Sequence, residues 1–422
     1  MKSLAKILAS KQNREAAAAS LRASSSTPTS GLASAENSTG ASFASSEILP
    51  YLDSCFDDLN AHEGDFKTQI RAVEQALCSK ASRYSNARLP EGVGDIWQAN
   101  TEVLDQVLVA VECAVRVYDD DFPYMNADRF SYKTAGLISP SHSGVVKATK
   151  FIEVSDGSNQ NPDFPALVVA VRGTRMHFVV DWLVNFNHEL RDTADFLDLK
   201  SLVGGLPEFD LKVHSGFLNG ARALQADIEK EILKCRESTN IRHVIFTGHS
   251  AGGAVASLAY LQALGVATTR YPGMRFSLIT FGAPPVSTPS LAPTLDAFSA
   301  RWVQRQATPG LALAVVNEDD LVARADRSYI MSLLKLYDIT RTSSSFQSTG
   351  TPWVFPEPDV HTIGDILVLK ENHEDEPASN VEAFRVAAEA FEQLIFCDRV
   401  MHQKETYRKL LWQLRSRYES HS

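Results

Sequence analysis

His243-Val244-Ile245-Phe246-Thr247-Gly248-His249-Ser250-Ala251-Gly252-Gly253 is the stretch on which the reading of this chain turns. Five residues of strand character run into a cluster of small residues around one serine, and from Ala251 to Leu264 the pattern becomes helical. The five residues Gly248 to Gly252 fit G-x-S-x-G, and they stand where that pattern has a mechanical meaning, at a sharp strand-to-helix turn. Such a turn forces its serine into a strained backbone conformation, so the neighbours must be small, as Gly248, Ala251, Gly252 and Gly253 are. It also lifts the hydroxyl clear of the sheet and puts the Ala251 N–H at a helix start, where it can donate to a developing oxyanion. Ser250 is therefore the candidate nucleophile.

Outward from the turn, apolar strand-like runs alternate with helical ones. Phe164 to Val171 reads as a strand ending in Arg172-Gly173-Thr174; Asn219 to Cys235 is helical; Phe276 to Phe281 and Leu311 to Val316 are strands; Ile363 to Leu369 adds one more. Near-continuous apolar strands between helices imply a mostly parallel sheet covered on both faces, an α/β fold. The expected organisation is an Ala/Ser-rich tail over 1–45, a helical preface over 46–160 and the α/β domain over 161–418. Within the preface, Thr101 to Tyr118 has apolar residues at helical spacing. Thr342 to Asp359 reads as a surface loop, and Val381 to Tyr418 reads as helical with a break near Cys397.

With 422 residues and 44% apolar content, the chain can bury a large core. A formal net charge of -10 gives nucleic acid no electrostatic footprint, so that class of partner is set aside. The five cysteines, Cys55, Cys78, Cys113, Cys235 and Cys397, are odd in number and far apart, without zinc-site spacing. They read as reduced thiols and make a cytoplasmic location the expectation. Lys2, Lys6, Lys11, Arg14 and Arg22 against a single early acid, Glu15, leave an organelle transit peptide as the alternative. No apolar run reaches the roughly 18 to 20 residues that a membrane-spanning helix needs.

A serine hydroxyl needs a histidine to take its proton, and the histidine needs a carboxylate to fix its tautomer. In a fold with this turn the acid and then the base follow the serine in sequence. Leu311 to Val316 ends in Asn317-Glu318-Asp319-Asp320, at the strand edge where a sheet offers side chains to a site. Asp320 is the candidate acid and Asp319 its close alternative. Beyond it lie His361, His373, His402 and His421; the last is beside the chain end and His373 sits in an acidic loop, which leaves His361 and His402.

Four separated landmarks together resemble the class 3 lipase family of α/β-hydrolases. They are Val171-Arg172-Gly173-Thr174 with Asp181-Trp182, Val213-His214-Ser215-Gly216-Phe217, Gly248 to Gly253, and Thr280-Phe281-Gly282-Ala283-Pro284. The resemblance covers about Leu167 to Leu411 and implies hydrolysis of acyl esters of lipids without metal or organic cofactor. It implies Thr174 as the second oxyanion donor beside Ala251, and a lid over an acyl pocket around Trp182. The family's Asp-Pro-Val-Pro is matched by Asp320-Leu321-Val322-Ala323-Arg324 without either proline, which still prefers Asp320. His361 resembles a non-catalytic histidine of the family, while His402, with Tyr407 five residues on, resembles the catalytic one.

Phe178, Trp182 and Phe186 recur at four-residue spacing and fit an amphipathic lid helix that meets lipid surfaces. His214 and His249 read as structural, the one in a turn and the other holding the elbow. The competing expectation, of another class, is a catalytically silent lipase-like scaffold that binds a ligand or partner.

Overall fold

The computed structural model describes residues 66–119, 125–127, 129–141, 147–173, 189–198, 210–291, 310–342, 350–372 and 380–421. The elements run α1 (Phe66–Ala81), β1 (Asp95–Ile96), α2 (Thr101–Arg116), β2 (Met125–Ala127), β3 (Phe130–Ile138), β4 (Thr149–Asp156), β5 (Ala166–Val171), β6 (Leu190–Asp192), β7 (Lys212–His214) and α3 (Ser215–Ser238). They continue with β8 (His243–His249), α4 (Ala251–Gly265), α5 (Ala267–Arg270), β9 (Arg275–Phe281), β10 (Ser287–Thr288), β11 (Ala312–Asn317), a 3-10 turn (Leu321–Arg324), α6 (Arg327–Thr342), β12 (Asp365–Asn372), β13 (Asn380–Val386), α7 (Ala388–Phe391) and α8 (Lys404–His421). The chain falls into two compact units, Met1–Val73 and Glu74–Ser422. Of the first, only the opening turns of α1 are among the described residues; the Ala/Ser-rich tail expected over 1–45 lies outside them.

A ten-stranded sheet in the order β1-β13-β12-β11-β9-β8-β5-β4-β3-β2 occupies the second unit. Its centre, β5, β8, β9, β11 and β12, is parallel, and antiparallel strands close both flanks. Strand alternation divides the apolar side chains between two faces. Leu167, Val169 and Val171 of β5 pack with Val244 and Phe246 of β8 beneath α3 and α4. Ala166, Val168, Ala170, Ile245, Ile279 and Phe281 face the other way, against α2 and α8. Because both faces are covered, β5 and β8 are buried along their whole length, which is why they read as unbroken apolar runs. Helix α4 is buried nearly all round and shows no polar face.

Two expectations are corrected. The span 46–160 is not a helical preface throughout, because β3 and β4 carry residues of that span into the main sheet as a bulged hairpin. The first half of β4, Thr149 to Ile152, is buried on both faces, so it shows no apolar/polar alternation in the sequence. Val381 to Val386 is not helical but is strand β13, paired antiparallel with β12. Glu382, Ala383, Phe384 and Arg385 are compatible with a helix on propensity alone, and pairing with β12 overrides that preference. The break near Cys397 is found: α7 ends at Phe391 and α8 begins at Lys404. Among the described residues no helix is long and apolar enough to cross a membrane.

Between β8 and α4 the chain turns with no residue to spare. Ser250 sits at φ 60 and ψ -137, a region that costs a side chain-bearing residue about 1–3 kcal/mol. Its N–H donates to the Phe281 carbonyl at 3.0 Å, which fixes the turn to β9. A Cβ on Gly252 would lie 2.2 Å from the Val171 carbonyl oxygen, and one on Gly248 would lie 2.5 Å from the Gly252 carbonyl carbon. Backbone cannot yield as a flexible side chain can, so Gly252→Ala is expected to lower stability by about 3 kcal/mol, read as a fall in the urea midpoint. Unchanged stability would mean that the β5–α4 approach is looser than described.

Candidate active site

The carboxyl ends of the parallel strands carry two of the candidate residues, Ser250 and Asp320. Ser250 follows β8, Gly282 follows β9, which ends at Phe281, and Asp320 follows β11. His402 arrives from much later in the chain, in the turn that precedes α8. Its Nδ1–H donates to the carboxylate of Asp320, at 3.0 Å from Oδ1 and 2.9 Å from Oδ2. That hydrogen bond fixes the proton on Nδ1 and leaves Nε2 as the acceptor.

Asp320 is fully buried. Its Oδ1 also accepts the Val322 N–H at 2.8 Å, and its Oδ2 accepts the Tyr407 hydroxyl at 2.5 Å. The Tyr407 hydroxyl in turn accepts the Asn317 N–H at 3.1 Å, so α8 and β11 both hold the carboxylate. Burial, with the Asp320 carboxylate second, pushes the Tyr407 phenol well above its usual range and keeps it a donor. Gly282, at φ +55, makes the space: a Cβ there would fall 2.5 Å from Asp320 Oδ2, 2.8 Å from the Tyr407 hydroxyl and 3.0 Å from His402 Nδ1.

The residue before the serine connects the two halves. His249 Nε2–H donates to the His402 carbonyl at 2.6 Å, and the two imidazoles lie 4.6 Å apart, centre to centre. Burial, then the neighbouring His402 charge, holds the His249 pKa well below 6.5, so it stays neutral with its proton directed at that carbonyl. His249 was expected to hold the elbow itself; its ring hydrogen bond instead clamps the His402 turn.

The remaining alternatives separate by geometry. His361 Nδ1 pairs with Glu392 Oε1 at 2.7 Å, and its backbone bridges Ser287, so it is tied to β10 instead of the Asp320 carboxylate. His214 caps α3, its Nδ1 accepting the Gly216 N–H at 3.2 Å, and stacks on Phe217. His373 lies outside the described residues. Thr174, Phe178, Trp182 and Phe186, and with them the second oxyanion donor and the lid, also lie outside them. Ala251 is the first residue of α4, where N–H groups lack intrahelical partners. Among the described residues no cluster of His, Cys, Asp and Glu is arranged to hold a metal.

Two residues that the sequence left unread support the site. The Tyr118 hydroxyl accepts the Gly173 N–H at 3.0 Å, fixing the chain at the end of β5 against the elbow. Arg324 is buried, its Nη1 donates to the Phe391 carbonyl at 3.0 Å and the Leu394 carbonyl at 2.5 Å, and its guanidinium lies over the Tyr329 ring at 4.2 Å. It pins the turn after Asp320 by hydrogen bonds.

Asp319, the rejected acid, is held at φ 70 and gives its carbonyl to the Asp398 N–H at 2.9 Å. Burial, then Glu318 and Asp398, pushes its carboxyl up to about 7. Below the unfolded value of 3.8 both states are protonated and no charge cost arises; above about 7 the folded state carries a buried charge that the unfolded chain solvates. Asp319→Asn keeps a residue type that tolerates positive φ. It is expected to raise stability by about 2 kcal/mol at pH 8 and hardly at all at pH 4, measured by thermal unfolding at both. Equal gains at the two pH values would show that charge is not the cause.

The family described as Lipase (class 3) matches residues 168–328. The secreted mono- and diacylglycerol lipase 1 of Fusarium solani is 32% identical over 158 residues, which are 37% of this chain and 38% of that protein. The chain therefore spans well under half the length of the curated relative it matches. Among solved structures, the native Rhizomucor miehei lipase propeptide complex is similar at 16% identity, with 76% of this chain and 91% of that one covered and a TM-score of 0.45. A lipase from Rhizopus microsporus var. chinensis is similar at 16% identity over 74% and 92%, with a TM-score of 0.42. Residues 168–328, from β5 through the elbow to the acid turn, match the class 3 lipase family, and they lie within an α/β fold whose mostly parallel sheet is covered by helices on both faces.

Proposed function

We propose that the protein is a serine hydrolase that cleaves acyl esters of lipids, mono-, di- or triacylglycerols among them, through an acyl-enzyme on Ser250. The observation that carries the reading is the His402 Nδ1 bond to the buried Asp320 carboxylate, in a turn clamped by His249 to the strained elbow at Ser250. In this scheme Ser250 Oγ attacks the acyl carbonyl carbon while His402 Nε2 takes its proton. The Asp320 carboxylate orients the ring and stabilises its charged form. The Ala251 N–H, with Thr174, receives the oxyanion of the tetrahedral intermediate. As the ester bond breaks, His402 returns the proton to the departing alkoxide. Water, deprotonated by the same nitrogen, then attacks the acyl-enzyme and frees the carboxylic acid and Ser250.

Support for a lipid substrate comes from the class 3 lipase match and from the name of the Fusarium relative. Contact with a lipid surface through a lid around Trp182 belongs to the same proposal, resting on the Phe178, Trp182, Phe186 spacing. With an emulsified triglyceride, activity should rise once the substrate passes its solubility limit; a flat response would remove the lid from the scheme.

Hydrolysis of short- and long-chain nitrophenyl esters and of a diacylglycerol tests the triad. Ser250→Ala and His402→Ala should each lower kcat by roughly ten-thousand-fold or more, and His361→Ala should leave it within a few-fold of wild type. If folded wild-type protein hydrolyses none of these and Ser250 takes no fluorophosphonate label, the silent-scaffold reading replaces this one.

A further inference from the structure

The turn that carries His402 is tied to α1 by a pair of thiols. Cys397 and Cys78 are 319 residues apart in sequence, yet the Cys397 Sγ–H donates to the Cys78 Sγ at 3.4 Å. The Cys78 Sγ–H donates to the Cys397 carbonyl at 3.2 Å. Both thiols are free; Cys78 is half-buried and Cys397 buried. A second tie runs beside them, from Arg399 Nε to Glu74 Oε2 at 3.1 Å, so the Glu74–Ala81 part of α1 grips the turn at two points. On its other side the turn is stitched to the acid, with Asp398 bridging Asp320 and its N–H on the Asp319 carbonyl. The other free thiols among the described residues are placed differently. Cys113 is buried within α2, and the Cys235 Sγ lies beside the hydroxyl of Thr239, the residue that caps the end of α3.

We propose that Cys78 and Cys397 are a redox modification site, at which a low-molecular-weight disulfide converts the two contacting thiols into an intramolecular disulfide that staples α1 to the His402 turn. Its bearing on activity rests on the role proposed for His402. The Cys78 sulfur, reachable from solvent, attacks one sulfur of the small disulfide and displaces one thiol, leaving a mixed disulfide. The Cys397 sulfur then attacks the Cys78 sulfur and displaces the second thiol. Each cysteine proton ends on a displaced thiol; the pair loses two electrons and the small disulfide gains them. The Cys397 thiol is pushed above its ordinary pKa first by its hydrogen bond to Cys78 and then by burial, so it resists oxidants until Cys78 has reacted. With the sulfurs 3.4 Å apart, closing the bond brings them together by a little over ~1 Å and then prevents the turn from parting from α1.

The test treats the folded full chain with oxidised glutathione, alkylates free thiols and maps the peptides. A Cys78–Cys397 cross-link is expected, with Cys113 and Cys235 alkylated. Cys397→Ser should instead retain glutathione on Cys78, the intermediate caught. Oxidation should raise the Tm of wild type by about 5 °C, reversibly with reductant, and should not raise that of Cys78→Ser. Glutathione remaining on Cys78 in wild type, both thiols staying free, or Cys55 replacing Cys397 in the cross-link would each overturn the proposal. These readouts need no turnover. A chain that cross-links but hydrolyses nothing refutes the hydrolase reading and leaves the thiol site standing.

Discussion

Everything near the site depends on the backbone of Ser250 being forced to φ 60 between a buried strand and a buried helix. That conformation is unfavourable in isolation and persists because the surroundings over-determine it. Val171 closes on Gly252, Gly248 closes on Gly252 and Gly253, and Phe281 receives the Ser250 N–H. The same contacts set β5, β8, β9 and α4 relative to one another, so the geometry of the serine and the packing of the sheet are one constraint. A sheet buried on both faces is what makes this rigid enough to hold the strain.

From this turn, the organisation spreads along backbone and not along side chains. The residue before Ser250 holds the His402 carbonyl, and the residue after Phe281 is a glycine shaped to let Asp320, Tyr407 and His402 meet. Asp105 on α2, fully buried, receives Arg129, Arg415 and the Asn161 amide, which ties α8 to the opposite flank of the sheet. A buried carboxylate is tolerable when it is met by charges and donors on several sides, and the arrangement fixes the register of the helix that bears Tyr407.

The parts of this architecture that were legible in the sequence are those encoded by neighbours. The elbow, the parallel strands and α2 to α4 are written in contiguous apolar periodicity and in small residues at fixed offsets, and their observed bounds fall within a few residues of the expected ones. Asp320 over Asp319 was a close choice, because two adjacent acids differ in sequence by nothing that tells which way the chain will twist. His402 over His361 is a contact across 82 residues, and the partner that removes His361, Glu392, carries no local signal. Strand β13 was hidden because its residues suit a helix until β12 is beside them. Arg324 carries no local signal of its role, which depends on Phe391, Leu394 and Tyr329 enclosing it.

The acid turn is where the sequence is least transparent and the structure most economical. Asn317, Glu318, Asp319 and Asp320 look like four interchangeable polar residues at a strand end, and each is committed to a different neighbour. Asn317 gives its amide to the Met401 carbonyl and its N–H to Tyr407. Glu318 accepts the Leu89 N–H at 2.7 Å, joining the segment after α1 to the sheet. Asp319, at positive φ, presents its carbonyl to Asp398, and its backbone twist lets the next side chain point back at His402. Asp320 then meets the imidazole with every other carboxylate contact taken by Val322 and Tyr407. The strain at Asp319 is therefore of the same kind as that at Ser250. Each places an unfavourable backbone angle one step from the atom to be aimed, and each is held by hydrogen bonds from a distant segment. Such a site can form only when β9, β11 and the turn before α8 are already docked, which makes its chemistry contingent on the whole of the surrounding fold.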